Sequence, residues 1–357
     1  MSLGFEQAGF RIVAALDSDP IHLATYARNF PDTMALCADL SETHGHEILR
    51  QAGLRQGRIE VLFGGPPCQG FSLIGKRRKD DSRNGLIYHF ARLVREVRPL
   101  YFVMENVEGL MRGGASDSLQ SFVRRVERSG YKVVRPIRSL DASQFGVPQR
   151  RKRVFVIGYR KDLPALEYPR ALPAGDGARN CPTVWDAIGD LPNVDDCQQL
   201  LAEDVYHGPL GQPSEYAGIL RGETADDENR SHRRPRRLDG LTGYLRTVHS
   251  EKTVSRFAQT LPGSYEPVSR FYRLTKGGVA PTLRAGTGPG HGSFTAPRPI
   301  HPIYARCITV REAARLHSFP DWFRFHPTKW HGFREVGNSV PPLLARAVAR
   351  SLIAHLT

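Results

Sequence analysis

Short apolar runs alternate with stretches of helical periodicity over the first 160 residues. Arg11–Leu16 (RIVAAL), Glu60–Phe63 (EVLF), Tyr101–Met104 (YFVM), Lys132–Ile137 and Val154–Gly158 read as strands. Between them, Pro20–Asn29 reads as a helix opened by proline. Gly85–Val97 places Leu86, Phe90, Leu93 and Val97 on one helical face, and Ser118–Ser129 does the same with Leu119, Phe122, Val123 and Val126. The order βαβαβαββ predicts an α/β fold with a doubly wound, mostly parallel sheet.

The texture changes at about Lys161. Proline and glycine become frequent, periodicity weakens, and Asp226–Glu228 is followed by the basic run Arg230–Arg237 (RSHRRPRR). Helical pattern returns after Cys307, first as a short helix over Thr309–His317 and then over Ser339–Leu356. In the latter Ser339 can cap, Pro341 and Pro342 suit the first turn, and Leu343, Leu344, Ala347, Val348, Ser351 and Leu352 form one stripe, with Arg346 and Arg350 pointing elsewhere. Such a stripe needs a core to cover, and the incomplete one is the N-terminal sheet. The expected organisation is therefore 1–160 as the sheet domain, 161–305 as a smaller irregular domain and 306–357 as a segment returning to the first.

The 357 residues carry 50 Lys+Arg against 36 Asp+Glu, a net charge of +14, which favours a polyanionic partner over an acidic or neutral one. No apolar run approaches the length needed to cross a bilayer, and Met1–Phe10 has no signal-peptide pattern, so membrane and secreted classes fall away. Five scattered cysteines without a C-x-x-C pair suggest neither disulfides nor zinc. A reduced, cytoplasmic and nucleoid-associated protein is the expectation.

In open α/β sheets ligands bind beyond the carboxyl ends of the strands. Those positions hold Asp17, the loop Gly64-Gly65-Pro66-Pro67-Cys68-Gln69, and Glu105-Asn106. Cys68 reads either as a small hydrophobe buried in a turn or as an accessible thiol that the nearby basic stretch Lys76–Lys79 turns toward thiolate. Glu105 is either a solvated strand-end acid or a buried carboxyl in need of a partner. The run Gln149–Arg153 precedes a strand, and alternation puts Arg151 and Arg153 on one face.

Taken together, Gly64–Ser72 (GGPPCQGFS), Glu105–Val107 (ENV), Gln144–Arg153 (QFGVPQRRKR), Arg273–Leu283 (RLTKGGVAPTL) and Gly337–Val340 (GNSV) resemble the DNA cytosine-5 methyltransferase family of bacterial restriction–modification systems, in the family's order. The resemblance implies a Rossmann-like fold that uses S-adenosylmethionine, with the 161–305 region as a target recognition domain. It implies Cys68 as nucleophile, Glu105 acting at N3 of the base, and Arg151 and Arg153 holding the cytosine and the carboxylate. Asp17, Ser18, Asp39, Leu40, Pro67, Leu86, Asn338 and Ser339 match cofactor-lining positions. Double-stranded DNA is the implied partner, with a cognate restriction endonuclease acting on the same site, and monomeric action is the family habit.

The family's first motif, a strand followed by a Phe-x-Gly-x-Gly-Gly loop, has no counterpart here, and MSLGFEQAGF reads like the segment that follows it. The expectation is a sheet lacking that strand and weaker cofactor binding by this form. Gly286–Gly292 (GTGPGHG) lacks the following helix of a phosphate loop. Two alternatives are a tRNA cytosine-5 methyltransferase, whose Cys-Phe-Thr element this chain lacks, and a catalytically silent DNA-binding protein.

Overall fold

The chain divides into two compact units whose segments interleave along the sequence. The computed structural model describes residues 1–67, 85–172, 181–231, 240–286 and 298–356. One unit consists of Arg11–Asp141, Lys152–Arg170 and Ala347–Thr357, and the other of Met1–Phe10, Ala142–Arg151 and Ala171–Arg346.

The chain opens on helix α1 (Ser2–Gln7), part of the second unit. The first unit holds the α/β sheet. Strand β1 (Ala14–Asp17) runs parallel to β2 (Met34–Cys37), joined by α2 (Pro20–Asn29). Proline occupies the first position of α2, and the Asp19 carboxylate caps the helix by accepting from the Ile21 and His22 amides at 3.0 and 3.4 Å. After α3 (Gly45–Gln51), β3 (Val61–Gly64) pairs in parallel with β4 (Tyr101–Asn106), with α4 (Leu86–Val97) between them.

The remaining pairs gather on one long strand. Beyond α5 (Gly114–Arg128) come β5 (Tyr131–Val133), β6 (Arg138–Asp141) and β7 (Lys152–Arg160), and β7 is antiparallel to β4, β5 and β6 alike. The doubly wound α/β class holds, with parallel pairing over β1–β4 and antiparallel pairing around β7. The described strands of this unit form two separate sheets, β1-β2 and β3-β4-β7-β5 with β6 on β7. Among the described residues β1 pairs only with β2, and β3 only with β4 on that side of its sheet.

All six residues of β4 are buried, which explains why YFVM shows no polar alternation. Phe90 and Val94 of α4 and Leu119, Phe122 and Val126 of α5 cover Phe102 and Met104 of β4. Each such side chain stabilises the fold by roughly 1.5–3 kcal/mol. A Cβ at Gly158 of β7 would sit 2.1 Å from the Phe102 ring, so glycine there is what admits the phenylalanine. Of the C-terminal segment only Ala347–Thr357 groups with this unit, where the Tyr101 hydroxyl donates to the His355 carbonyl at 3.3 Å.

The second unit is built on short elements. They are α6 (Val184–Ile188), the antiparallel pair β8 (Val205–Tyr206) and β9 (Leu241–Thr242), α7 (Glu215–Arg221), α8 (Glu251–Gln259), α9 (Val310–Leu316), α10 (Lys329–Asn338) and the start of α11 (Pro342–Ile353). Every residue of α9 is buried, charged ones included. Arg315 pairs with Asp190 at 3.1 Å and Asp321 at 2.6 Å, Arg311 donates to the carbonyls of Thr242, Pro320 and Phe323, and Glu312 pairs with Arg306 at 2.8 Å. Thr309 and Glu312 close a capping box at its start.

This buried helix moves the division of the chain in space away from 305/306. Residues 306–346 belong with 171–305 because α9 packs on α6 and α10 as the middle of that unit. Two smaller expectations also change. Ser339 ends α10 instead of capping the last helix, which begins at Pro342. Arg346 is buried and paired with Asp226 at 2.5 Å, so the acidic stretch before the basic run anchors a helix. The four described cysteines, Cys37, Cys181, Cys197 and Cys307, are free thiols. Among the described residues no helix is long and apolar enough to cross a membrane.

Candidate active site

In the sheet unit the parallel pair β3–β4 brings the loop Gly64–Pro67 beside Glu105 and Asn106, because both strands end on the same side. Asn106 Nδ2 donates to the Pro66 carbonyl at 2.9 Å, and its Oδ1 accepts from the Val107 amide at 2.9 Å. The asparagine thereby ties the proline loop to the end of β4. Phe63 and Gly64 lead into a turn so close to β4 that a Cβ on Gly65 would lie 2.8 Å from Glu105 Oε2.

Glu105 is a buried carboxyl with a partner. Arg153 Nε lies 2.9 Å from its Oε1, with the two side chains 14% and 11% exposed, a pair largely removed from water. Arg153 belongs to β7, where Leu140 of β6 faces it in register, and its Nη1 donates to the Lys152 carbonyl at 2.8 Å. Burial pulls the guanidinium below its ordinary pKa and Glu105 opposes that pull. Arginine starts so high that it stays charged. The carboxylate is thus held on one side by a fixed cation and on the other by a glycine that leaves its second oxygen uncovered.

Four of the predicted cofactor residues of this unit, Asp17, Ser18, Asp39 and Leu40, lie at or just past the ends of β1 and β2. Asp17 is the last residue of β1, opposite Cys37 in register, and its Oδ1 accepts from the Asp19 amide at 2.8 Å. Ser18 follows directly, and its carbonyl faces Cys37 Sγ at 4.0 Å. Asp39 stands two residues past β2 and accepts from both the amide and the hydroxyl of Ser41 at 2.7 and 2.6 Å. The Ser41 hydroxyl and amide hold its carboxyl below the usual carboxylate range, which keeps it an acceptor at neutral pH. Leu40 packs against the core, and Arg92 of α4 grips its carbonyl at 2.7 Å and the Thr43 carbonyl at 2.9 Å while pairing with Glu96 at 3.1 Å. Leu86 begins α4, and Pro67 is exposed at the end of the loop.

Arg151, Asn338 and Ser339 belong to the other unit. Arg151 is fully buried, donating to the carbonyls of Leu283 at 2.9 Å, Gly337 at 2.7 Å and Ser339 at 2.9 Å. Its guanidinium therefore fixes the backbone of the Gly-Asn-Ser-Val segment. A Cβ on Gly337 would meet the Ala285 amide nitrogen at 2.4 Å, so only glycine lets α10 approach so near. Asn338 is exposed beside it. Gln149 completes this junction, accepting from the Leu283 amide at 3.0 Å and donating to the Leu316 carbonyl at 3.2 Å.

Cys68, the basic stretch Lys76–Lys79, most of the run Arg230–Arg237 and most of Gly286–Gly292 lie outside the described residues. Sequence reading assigned no individual role to Gly65, Arg92 and Asn106 in the sheet unit or to Gln149 in the other. Three of them stood inside the quoted motifs, and Arg92 forms an i,i+4 pair with Glu96 on the polar face of α4. Gly65→Ala is expected to push the Glu105 carboxylate against its arginine and to lower turnover by more than tenfold with little loss of DNA affinity. Steady-state kinetics beside a DNA-binding titration checks this, and unchanged turnover would contradict it.

Solved structures share the Rossmann-like α/β fold of the chain. A prophage-encoded protein of E. coli described as a DNA modification methyltransferase is 33% identical, with a TM-score of 0.79 over 99% of this chain and 95% of that one. The S. pombe Dnmt2 methyltransferase is alike in fold alone, with a TM-score of 0.64 at 16% identity over 100% of this chain and 96% of that one. The profile of the family described as C-5 cytosine-specific DNA methylase matches residues 1–354, and the chain belongs to that family. It is 50% identical to the type II methyltransferase M.XorII of Xanthomonas oryzae pv. oryzae, over 100% of this chain and 82% of the relative. It is 32% identical to the type II methyltransferase M.AgeI of Thalassovita gelatinovora, over 98% and 95%.

Proposed function

We propose that the chain transfers a methyl group from S-adenosylmethionine to C5 of a cytosine flipped out of a specific sequence in duplex DNA, through a covalent bond between Cys68 and C6. Cytosine C5 is too electron-poor to attack a methyl group unaided. Addition of the Cys68 thiolate at C6 turns the C5=C6 bond into an enamine, and C5 then becomes the nucleophile. Loss of the C5 proton and departure of the thiolate restore the aromatic ring with the methyl in place.

The residues of this chain supply what that sequence needs. Glu105 shares a proton with N3, drawing charge from the ring as C6 is attacked, and Arg153 holds the carboxylate in position. Glu105 is a catalytic residue in this reading, and Arg151 is a positioning residue acting through the carbonyls of Gly337 and Ser339. Asp17 and Asp39, acceptors at the ends of two adjacent parallel strands, suit the ribose hydroxyls and the adenine end of the cofactor. Leu40, Pro67 and Leu86 would line it, Ser18 would follow the ribose ligand, and Asn338 and Ser339 carry the cofactor role assigned by the resemblance. When bound, the cofactor supplies the electrophilic methyl group. A base inside a duplex cannot present C6 to a thiol, which is why the cytosine must leave the stack.

The buried Glu105–Arg153 pair, set directly against Gly65 in the position that follows β3, is the observation that carries this reading. The type II names of the relatives support a cognate restriction endonuclease as functional partner, and action as a monomer rests on the family resemblance alone. Incubation with tritiated S-adenosylmethionine, duplex DNA or tRNA, followed by bisulfite sequencing, tests the proposal. The expected result is label in DNA at one recurring context, and label confined to tRNA would reject it.

A further inference from the structure

Five of the exposed large hydrophobic residues fall within one short stretch of the second unit, from Val248 to Val268. Leu261, Tyr265 and Val268 are 73%, 65% and 69% exposed, and all three project from a single hairpin. Isolated exposed apolar residues are ordinary, but three on one loop call for an occupant.

The hairpin is braced from beneath. Gly263 and Ser264 exchange backbone hydrogen bonds with Arg273 at 2.8 and 2.9 Å, and the Glu266 amide donates to the Phe271 carbonyl at 2.8 Å. Glu266 is fully buried under the tip, where its carboxylate accepts from Arg256 Nε of α8 at 3.0 Å and from the amide and hydroxyl of Ser269. Arg273, also buried, clamps the C-terminal end of α8 by donating to the carbonyls of Phe257, Ala258 and Thr260, and it reaches the Ile303 carbonyl as well. Two buried charges thus hold rigid a loop whose apolar side chains face water. That is the construction of a preorganised recognition tip, where the ordering cost is met before binding.

Charge identifies the occupant. Residues 240–286 carry seven Lys or Arg (Arg246, Lys252, Arg256, Arg270, Arg273, Lys276, Arg284) and two acids (Glu251, Glu266), so seven minus two leaves +5. Lys252, Arg270, Lys276 and Arg284 are exposed, whereas Glu266 is consumed inside the hairpin. Exposed cations in the same stretch of chain, with apolar knobs on a braced hairpin, match the major groove of duplex DNA. There the phosphates supply the anions, and the C5-methyl of thymine is the one apolar group on a base edge.

We infer that the tip Leu261–Arg270 reads bases flanking the target cytosine, with Tyr265 and Val268 in contact with a thymine methyl, so that the recognised sequence contains an A·T pair. This rests on the methyltransferase reading above. The context methylated by the natural chain is first read by bisulfite sequencing, and each thymine in it is then replaced by deoxyuridine, which removes only the methyl. One such replacement is expected to lower kcat/KM by about tenfold, and the Tyr265→Ser, Val268→Ser double variant is expected to methylate the two duplexes at rates within about threefold of each other. Val254→Ser, on exposed α8 outside the tip, keeps the natural discrimination.

Absence of any methylation by the natural chain would defeat the methyltransferase reading itself. Specific methylation in a context without thymine, or thymine discrimination unchanged in the double variant, would overturn this inference and leave that reading standing. Val268→Ala alone, which trims one exposed side chain, decides the matter if the double variant does not fold.

Discussion

Glutamine in place of Glu105 is expected to slow methyl transfer by a factor of about 10³, the range for losing a positioned proton donor together with its charge stabilisation. The amide keeps the shape of the side chain but cannot share a proton with N3 as a carboxyl does. DNA affinity should hold within a few fold, because phosphate contacts by the basic surface supply most of it. The substitution also leaves Arg153 largely buried without its carboxylate, which costs on the order of 3 kcal/mol. Glu105→Asp separates the two effects, since it keeps a negative charge near Arg153 but draws the carboxyl back from Gly65. Single-turnover rates and thermal unfolding of both variants give the comparison. A glutamine variant that turns over at the natural rate would remove Glu105 from the chemistry.

Replacing Arg315 by methionine is expected to produce the largest loss of stability. The guanidinium is fully buried between Asp190 and Asp321, with an additional bond to the Ala187 carbonyl at 3.0 Å. Its removal takes from two buried carboxylates their main partner, leaving Asp190 with Arg221 at 3.3 Å and Asp321 with Arg311 at 3.7 Å, at a cost of roughly 3 kcal/mol. For a unit of this size that lowers the melting temperature by on the order of 10 °C. Adding Asp190→Asn to the same chain should recover part of the loss, because it removes the carboxylate left with the weaker partner while Arg221 keeps Glu223 at 2.8 Å and Arg311 keeps Asp321. Calorimetry reads both outcomes, and a shift of only a degree or two in the single variant would mean that water reaches the cluster.

The parts of the fold legible in the sequence are those where burial is one-sided or complete. YFVM and VFVIGY predict strands because both faces of β4 and β7 are covered, and the stripes of α4 and α5 predict helices because only one face is. The second unit was less legible, since α9 is buried on every side and its arginines mimic a surface helix in sequence. Burial of Arg311 and Arg315 depends on Asp190, Thr242 and Asp321, partners distant along the chain or across a turn, which no local period reveals. The antiparallel setting of β7 was likewise invisible, because direction is decided by pairing partners and not by composition.

Within the site, Glu105 and Arg153 were identified through the motifs, and their pairing at 2.9 Å answers why an acid can end a buried strand. Alternation put Arg151 beside Arg153 on one face, yet each finds different partners. Arg151 lies just before β7 and spends its donors on carbonyls, whereas Arg153 lies within the strand and meets a carboxylate. Gly65 and Gly337 show the same limit from the other side. A glycine in a motif signals close approach, but only the structure shows that the approaching group is the Glu105 carboxylate in one case and the backbone of residues 284–285 in the other.

The central claim is covalent catalysis by Cys68, and a duplex containing 5-fluorocytosine in the recognised context tests it most directly. Fluorine at C5 cannot leave as the proton does, so the adduct formed after methyl transfer persists. With S-adenosylmethionine present, the natural chain is predicted to yield a denaturation-resistant protein–DNA species by electrophoresis and mass spectrometry, and Cys68→Ser none. The same adduct in the serine variant would contradict the assignment of the nucleophile, and no adduct from a natural chain that methylates ordinary duplex would contradict the covalent route.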